Sequence, residues 1–508
     1  MDAIPLPSRW SRLIWGIAMG TAVGCGEEQP AVQDVPAGAA AIDGTDGKVV
    51  SAGDAAADVA PAGDCPATPC PGDHWCSAGV CKARPTEAAA SKARASCGFG
   101  AGARVEETVG REHPVGKAIP IDTFVLVMME NRSFDHYFGA AKAFGLDVNG
   151  HPPGAANPND KGEPVPIYHE ATACIHDVGH SWNASHRQWN GGKNDGFWLT
   201  NHNAKADGSR ALGYFDGSDL TFYYGVAKAF GLSDAHHCSL LGPTWVNRMF
   251  YVAGTSWGLV VNNVPPAAVM AANQKAHILA QLDAAGVDWR IYQSAGTVFL
   301  LFADWLGQPK ALERVRTVEE FHLDAAAGKL PAVSFVEPDY LAGGAARNDE
   351  HPPGTPWQGE QFVHGVLTSL MKSPQWPNAA YVQTYDEHGG FYDHAPPPAA
   401  CPPDGYAPRT GPKDEPGTFD RLGFRVPFLV ASPWSKAGHV SHVVTDNTAP
   451  MRLVQARFGL PALTARDANA WPLFDFFDFS KRTYATPPAL PAPKPMTAEI
   501  AACRKKFP

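Results

Sequence analysis

Residues 125–139 read VLVMMENRSFDHYFG. Five apolar residues run straight into Glu130, Asn131, Arg132 and Ser133. Extended backwards, the run is IDTFVLVMM (121–129), apolar and β-branched with almost no polar interruption. A half-exposed strand would alternate apolar and polar residues, so this pattern predicts a strand buried on both faces. Its end on an acid beside an amide puts two oxygen donors at one point of a sheet edge. In sheets of parallel strands, the carboxyl edge is where ligands bind.

Working outward, short runs of the same kind recur. They are VDWRIYQ (287–293), PAVSFVE (331–337), AAYVQTYD (379–386) and VPFLVAS (426–432). Between them, KAHILAQLDAAG (275–286) and EQFVHGVLTSLMKS (360–373) carry apolar residues at helical spacing. Strand–helix–strand alternation predicts an α/β domain over residues 119–480. Its expected architecture is a three-layer sandwich with a mostly parallel central sheet and helices on both faces. The chain has no internal repeat.

The 508 residues include 50 Gly and 46 Pro, which fits a fold rich in turns and long loops rather than a helical bundle. The formal net charge is −10. Residues 27–64 hold eight acids against Lys48 alone, so the rest of the chain is near neutral. No basic run is present, and the reading therefore includes no nucleic-acid partner.

The N-terminal stretch has its own logic. Arg9 and Arg12 precede LIWGIAMGTAV, an apolar run too short to span a bilayer, which ends at Gly24-Cys25. Residues 1–25 read as an export signal. AVGC (22–25) resembles a lipobox, with Ala22 where such motifs usually carry Leu. Lipidation of Cys25 would anchor the protein to a membrane of the cell envelope; the alternative is a plain secretory signal and a periplasmic or secreted product. Residues 26–64 read as a flexible Ala/Gly/Asp-rich linker, because they offer too little apolar surface to offset the entropy of ordering. Cys65, Cys70, Cys76 and Cys81 open a small disulfide-stapled module (65–97). Four cysteines allow three pairings, and Cys97, Cys174, Cys238, Cys401 and Cys503 stay unassigned. Residues 481–508 form a Pro/Ala-rich tail.

Six stretches occur in order: ENRSFDHYFG, HSWNASHRQWNGGKNDGFW, YYGVAKAFGLSDAHHCSLLGPTWVNRMF, DEHPPG, YDEHGGFYDHAPPP and RVPFLVASPWSKAGHV. Together they resemble the bacterial phosphoesterase family of non-zinc phospholipases C and acid phosphatases. That family is related to the alkaline phosphatase superfamily, and the resemblance implies an alkaline-phosphatase-like fold.

Phosphate esters repel hydroxide, and a divalent cation on oxygen ligands neutralises that charge. Glu130 and Asn131 supply two oxygen ligands at one strand end, and Asp386 and Glu387 two more at another. The resemblance implies that these four bind the metal together with Thr244. Oxygen ligation favours Mg²⁺, Ca²⁺ or Mn²⁺, with iron and zinc also compatible. Thr244 follows Gly-Pro at the start of an expected helix, where exposed N–H groups favour phosphate. A helix cap is the bland reading of such a residue; the resemblance implies the nucleophile instead. It also favours His180 and His351 as phosphate-facing groups able to protonate a leaving alkoxide. Less is implied for His388, and His176, His186, His236, His237 and His394 could be structural. Arg248 and Asn247 could clamp phosphate or pin the helix start. Trp182, Trp189 and Trp198 could form an aromatic wall or core.

The expected function is an exported metal-dependent phosphoesterase acting on a phospholipid or related phosphate ester. It is read as a phospholipase C working through a phospho-threonine intermediate. The alternatives are an acid phosphatase on phosphomonoesters and a non-catalytic surface binding protein.

Overall fold

The computed structural model describes residue 70 and residues 73–77, 80–204, 206–263, 276–297, 299, 313–340 and 342–508. The signal, lipobox and linker expectations lie outside the described residues. Among the described residues, no helix is long and apolar enough to cross a membrane.

Eight strands form the central sheet. In chain order they are β1 (Thr123–Met129), β2 (Gly231–Ser233), β3 (Trp289–Gln293), β4 (Val315–Thr317), β5 (Val333–Glu337), β6 (Ala379–Tyr385), β7 (Phe428–Ala431) and β8 (His439–Ser441). Their spatial order is β4-β3-β5-β1-β6-β7-β2-β8. All neighbours pair in parallel except β7, which runs antiparallel to both β6 and β2. Every strand read from sequence is present. The expectation of a mostly parallel sheet holds, with β7 as the reversed member. Nothing in VPFLVAS distinguishes the two directions, because both of its faces are buried.

Burial of β1 on both faces is visible residue by residue. Phe124, Leu126 and Met128 enter one apolar cluster, and Val125, Val127 and Met129 enter the other. Strict alternation across a strand sends its side chains to both layers. Each fully buried side chain of this size contributes about 1.5–3 kcal/mol. The helix Pro356–Lys372 covers one face with Val363, Val366, Leu367 and Leu370, at helical spacing. It starts as such helices do, with Pro at its first position after Thr355. On the opposite face lies the helix Thr244–Ala253, which contributes Val246, Met249, Phe250 and Val252. Gly254, at φ 74°, ends it in the left-handed conformation that favours glycine.

Cysteines tie remote segments to this body. Cys70 bonds Cys81, which lies in a hairpin of His74–Ser77 and Val80–Ala83. Cys97 bonds Cys401, and Cys174 bonds Cys503. Cys76 is also disulfide-bonded, while Cys238 is a buried free thiol.

Candidate active site

β1 and β6 are parallel, with Met129 opposite Tyr385. One further ladder bond runs from Asp386 N to Met129 O at 3.2 Å. Glu130 and Asp386 therefore leave the sheet side by side. Backbone bonds knit three chain segments here: Glu130 N donates to Asp349 O at 3.0 Å, and Arg132 N donates to Glu387 O at 3.1 Å.

Asn131 sits at the centre with φ 74°, in the left-handed region that Asn tolerates better than most residues. Its backbone N–H donates to Asp386 Oδ1 at 3.1 Å, and its Nδ2 donates to Glu387 Oε1 at 2.9 Å. Its Oδ1 is buried with no hydrogen-bond partner. Gly389 closes the far side at φ 68°, and a Cβ there would lie 2.2 Å from Asn131 O. Only glycine allows that approach.

Thr244 is the first residue of its helix and not its cap; Pro243 holds the cap position. The Thr244 hydroxyl donates to Glu130 Oε1 at 3.3 Å. Asn247 pins the helix start, accepting from Leu240 N at 3.1 Å and donating to Gly242 O at 2.9 Å. One turn along, Arg248 Nε donates to Asp386 Oδ2 at 2.9 Å, and Nη2 donates to Met129 O at 3.1 Å. Its Nη1 donates to the Tyr340 hydroxyl. Glu130 and Glu337 each lie 3.9 Å from the same guanidinium. Arg248 is thus committed to a row of strand-end carboxylates.

The two histidines face each other across the site, with ring centroids 5.3 Å apart at 80°. His180 Nδ1 donates to Val178 O at 2.7 Å, and His351 Nδ1 donates to Pro352 O at 2.6 Å. These bonds fix each tautomer and orient each Nε2. Asp177 Oδ1 lies 3.6 Å from His351 Nε2 and 3.9 Å from His180 Nδ1. The Asn131 amide nitrogen is 3.3 Å from His180, which joins the histidine pair to the carboxylates.

Burial and charge set the electrostatics. Burial works to raise the Glu130 carboxyl, but Arg347, His351 and Arg248 together bring it down to about 2. Burial raises Asp386, only partly offset by Arg248, and repulsion from Glu130 and Glu387 adds to the rise. Glu387 is also raised by burial, against the opposing pull of His180. Carboxylates crowded in this way are stabilised by an added cation. Asn131 Oδ1, an orphaned buried acceptor among them, is the oxygen such a cation would satisfy. The donor set therefore fits a hard divalent ion. Among the described residues, four groups of three His, Cys, Asp or Glu side chains lie within 4.8 Å of one another, one of them Asp177, His180 and His351. Glu130, Asp386 and Glu387 are not such a group. Asp386 directs Oδ1 to the amides of Asn131 and Glu387, and Oδ2 to Arg248.

All of Glu130, Asn131, Thr244, His180, His351, Asp386 and Glu387 come together. His388 lies at the edge of the centre: its Nδ1 is 3.7 Å from Glu387 Oε2, its Nε2 bonds Gln188 at 2.7 Å, and its ring packs on Phe424. The remaining histidines are engaged elsewhere. His236 bonds Thr445 and Asn447, His237 bonds Gly423 O, and burial lowers both rings to about 3. His394 pairs with Asp135, His186 with Trp182 O, and His176 meets Phe507. Trp182 and Trp198 are buried in apolar clusters, and Trp189 stacks on Arg421.

Sequence reading missed Asp177, Tyr340, Arg347 and the carboxyls of Asp349 and Glu350. Arg347 pairs with Asp349 and lies 3.6 Å from Glu130. Glu350 is buried beneath the hydroxyls of Tyr137, Tyr385 and Tyr223, directly before His351. DEHPPG contained two of these acids, yet only its histidine was singled out.

Residues 121–461 match the Phosphoesterase family. The chain is 31% identical over 455 residues to phospholipase C B of Mycobacterium tuberculosis, covering 78% of this chain and 84% of the relative. It is 34% identical over 390 residues to non-specific phospholipase C1 of Arabidopsis thaliana, covering 70% and 71%. A solved structure of an alkaline phosphatase superfamily protein from Vibrio parahaemolyticus is similar with a TM-score of 0.33 and 11% identity, over 50% of this chain and 63% of that one.

Proposed function

This chain belongs to the Phosphoesterase family, and from that premise we propose that it is a metal-dependent phospholipase C whose nucleophile is Thr244. It is a phosphoric ester hydrolase with phospholipases C as its relatives. One observation carries the finer reading: the Thr244 hydroxyl reaches Glu130 Oε1 at a point where Asn131 Oδ1 is buried without a partner.

Glu130, Asn131, Thr244, Asp386 and Glu387 would hold the ion. When bound, a divalent cation polarises a phosphoryl oxygen and makes a hydroxyl more acidic. Thr244 Oγ1 attacks phosphorus as its proton is released to solvent, an ionisation that a bound cation would favour. The bond from phosphorus to the lipid oxygen breaks, and His180 or His351 protonates that oxygen, releasing diacylglycerol. Water then attacks the phospho-threonine, which frees the phosphorylated head group and restores the hydroxyl. Arg248 keeps Asp386 in place throughout.

We extend the proposal to export. The disulfides Cys97–Cys401 and Cys174–Cys503 support an oxidising compartment. Residues 1–25 would be the signal, with Cys25 the lipid attachment point, and residues 26–64 the tether. Cys25→Ser is expected to leave an uncleaved or soluble precursor, and mass spectrometry of the native protein showing an unmodified mature N-terminus elsewhere would refute the anchor.

The substrate class follows from charge. A phosphodiester carries one negative charge, whereas a monoester carries nearly two at neutral pH. One oxygen cluster with two histidines suits the smaller charge. kcat/KM on p-nitrophenylphosphorylcholine is expected to exceed that on p-nitrophenyl phosphate by about tenfold or more, equivalent to about 1.4 kcal/mol of transition-state preference. Side-by-side kinetics with added metals check this. A monoester preference would assign the acid phosphatase reading instead, and hydrolysis of neither would leave the binding-protein reading.

A further inference from the structure

Residues 481–508 lie beyond the segment that matches the family, yet part of them reaches the site's two histidine loops. The helix Thr497–Lys506 is fastened to the loop before His180. Cys503 is disulfide-bonded to Cys174, and Lys506 Nζ donates to Cys174 O at 2.9 Å. The Thr172 hydroxyl donates to Glu499 Oε1 at 2.5 Å. Phe507 then bridges to a second loop. Its ring meets His176 edge-on with centroids 4.9 Å apart, while its carbonyl accepts from Ala345 N at 3.0 Å. Ala345 opens the segment that delivers Arg347 and His351. The fit is close: a Cβ on Gly344 would fall 2.3 Å from Phe507 O, and Gly344 itself has φ 53°.

One segment thus grips the loop carrying Asp177 and His180 on one side and the loop carrying Arg347 and His351 on the other. The two loops meet where Asp177 lies 3.6 Å from His351. We propose that residues 497–507 are a positioning strap that sets the separation of His180 and His351. The proposal rests on the reading of these two histidines as phosphate-facing. The strap itself does no chemistry. It removes freedom from two loops whose described residues form no strand and no helix beyond the 3-10 turn Gly344–Ala346, and a displacement of about 1 Å in a reacting group can lower turnover about a hundredfold.

The chain supplies its own comparison. Cys174–Cys503 closes 329 residues and Cys97–Cys401 closes 304. Loop-closure entropy depends only on the logarithm of length, so removing either should lower stability by a similar amount. Only the first grips the histidine loops. The experiment compares the full chain, Cys174→Ser/Cys503→Ser, Cys97→Ser/Cys401→Ser and Phe507→Ala. It reads Tm, kcat and KM on p-nitrophenylphosphorylcholine, and the titration of both histidine rings by NMR. Severing Cys174–Cys503 is expected to lower kcat about tenfold with KM little changed, and to shift both ring titrations. Removing Cys97–Cys401 should lower Tm alone. Phe507→Ala keeps every disulfide and should move kcat and the titrations in the same direction, which covers poor folding of the first variant. Unchanged kcat and titrations in Phe507→Ala, or equal losses from both disulfide pairs, would overturn the strap. A native protein that hydrolyses no phosphate ester would sink the enzymatic reading alone, while the ring titrations still decide the strap.

Discussion

Thr244→Ala is expected to lose at least about three orders of magnitude in kcat/KM while the fold survives, because removal of a nucleophile abolishes the covalent route. The structural loss is small. Thr244 is buried, but among the described residues its hydroxyl donates a single bond, 3.3 Å long, to Glu130. Such a bond contributes about 0.5–1.5 kcal/mol net. The helix start does not depend on the side chain, since Pro243 caps it and Asn247 bonds Leu240 and Gly242. Thr244→Ser keeps the hydroxyl and should stay within about tenfold of the native rate. Melting curves beside kinetics separate the two effects. Near-native turnover in Thr244→Ala would remove Thr244 from the chemistry.

The site was legible in sequence where it follows from strand ends. Glu130-Asn131 and Asp386-Glu387 each close a run of buried residues, and β1 and β6 turn out to be neighbours in matched register. The direction of β7 was not legible, because residues buried on both faces carry no alternation to read. Nor was the Arg248–Asp386 pair, whose members stand 138 residues apart with no local signal. Arg248 looked equally suited to phosphate. Only its bonds to Asp386, Met129 O and Tyr340 assign it to holding a strand-end acid. The tryptophans around His180 were readable as an aromatic wall or as core, and the structure buries Trp182 and Trp198 in the core. Cysteine pairings across 304 and 329 residues are set by the tertiary fold alone.

Asp386→Asn is expected to weaken metal binding and to lower kcat/KM by about a hundredfold or more, with partial recovery in excess metal. The carboxylate accepts from the amides of Asn131 and Glu387 on one oxygen and from Arg248 on the other. An amide in its place has one acceptor and one donor. Whichever way it turns, Nδ2 faces either two backbone N–H groups or a guanidinium, so a donor meets a donor. Arg248 is buried, and removal of its closest carboxylate partner is expected to lower stability by about 3–5 kcal/mol. The site also loses one negative charge from the cluster that a cation would neutralise. Stability and metal affinity are separable in the measurement. Elemental analysis gives metal content after dialysis, melting curves give the fold, and activity is titrated with Mg²⁺, Mn²⁺ and Ca²⁺ on native and variant protein. If the loss were only structural, added metal would leave the rate unchanged at temperatures where the variant is folded. A rate that climbs with metal concentration to a plateau, at a midpoint above that of the native protein, assigns Asp386 to the ion. A chelated, dialysed native preparation that is metal-free and fully active would contradict metal dependence itself.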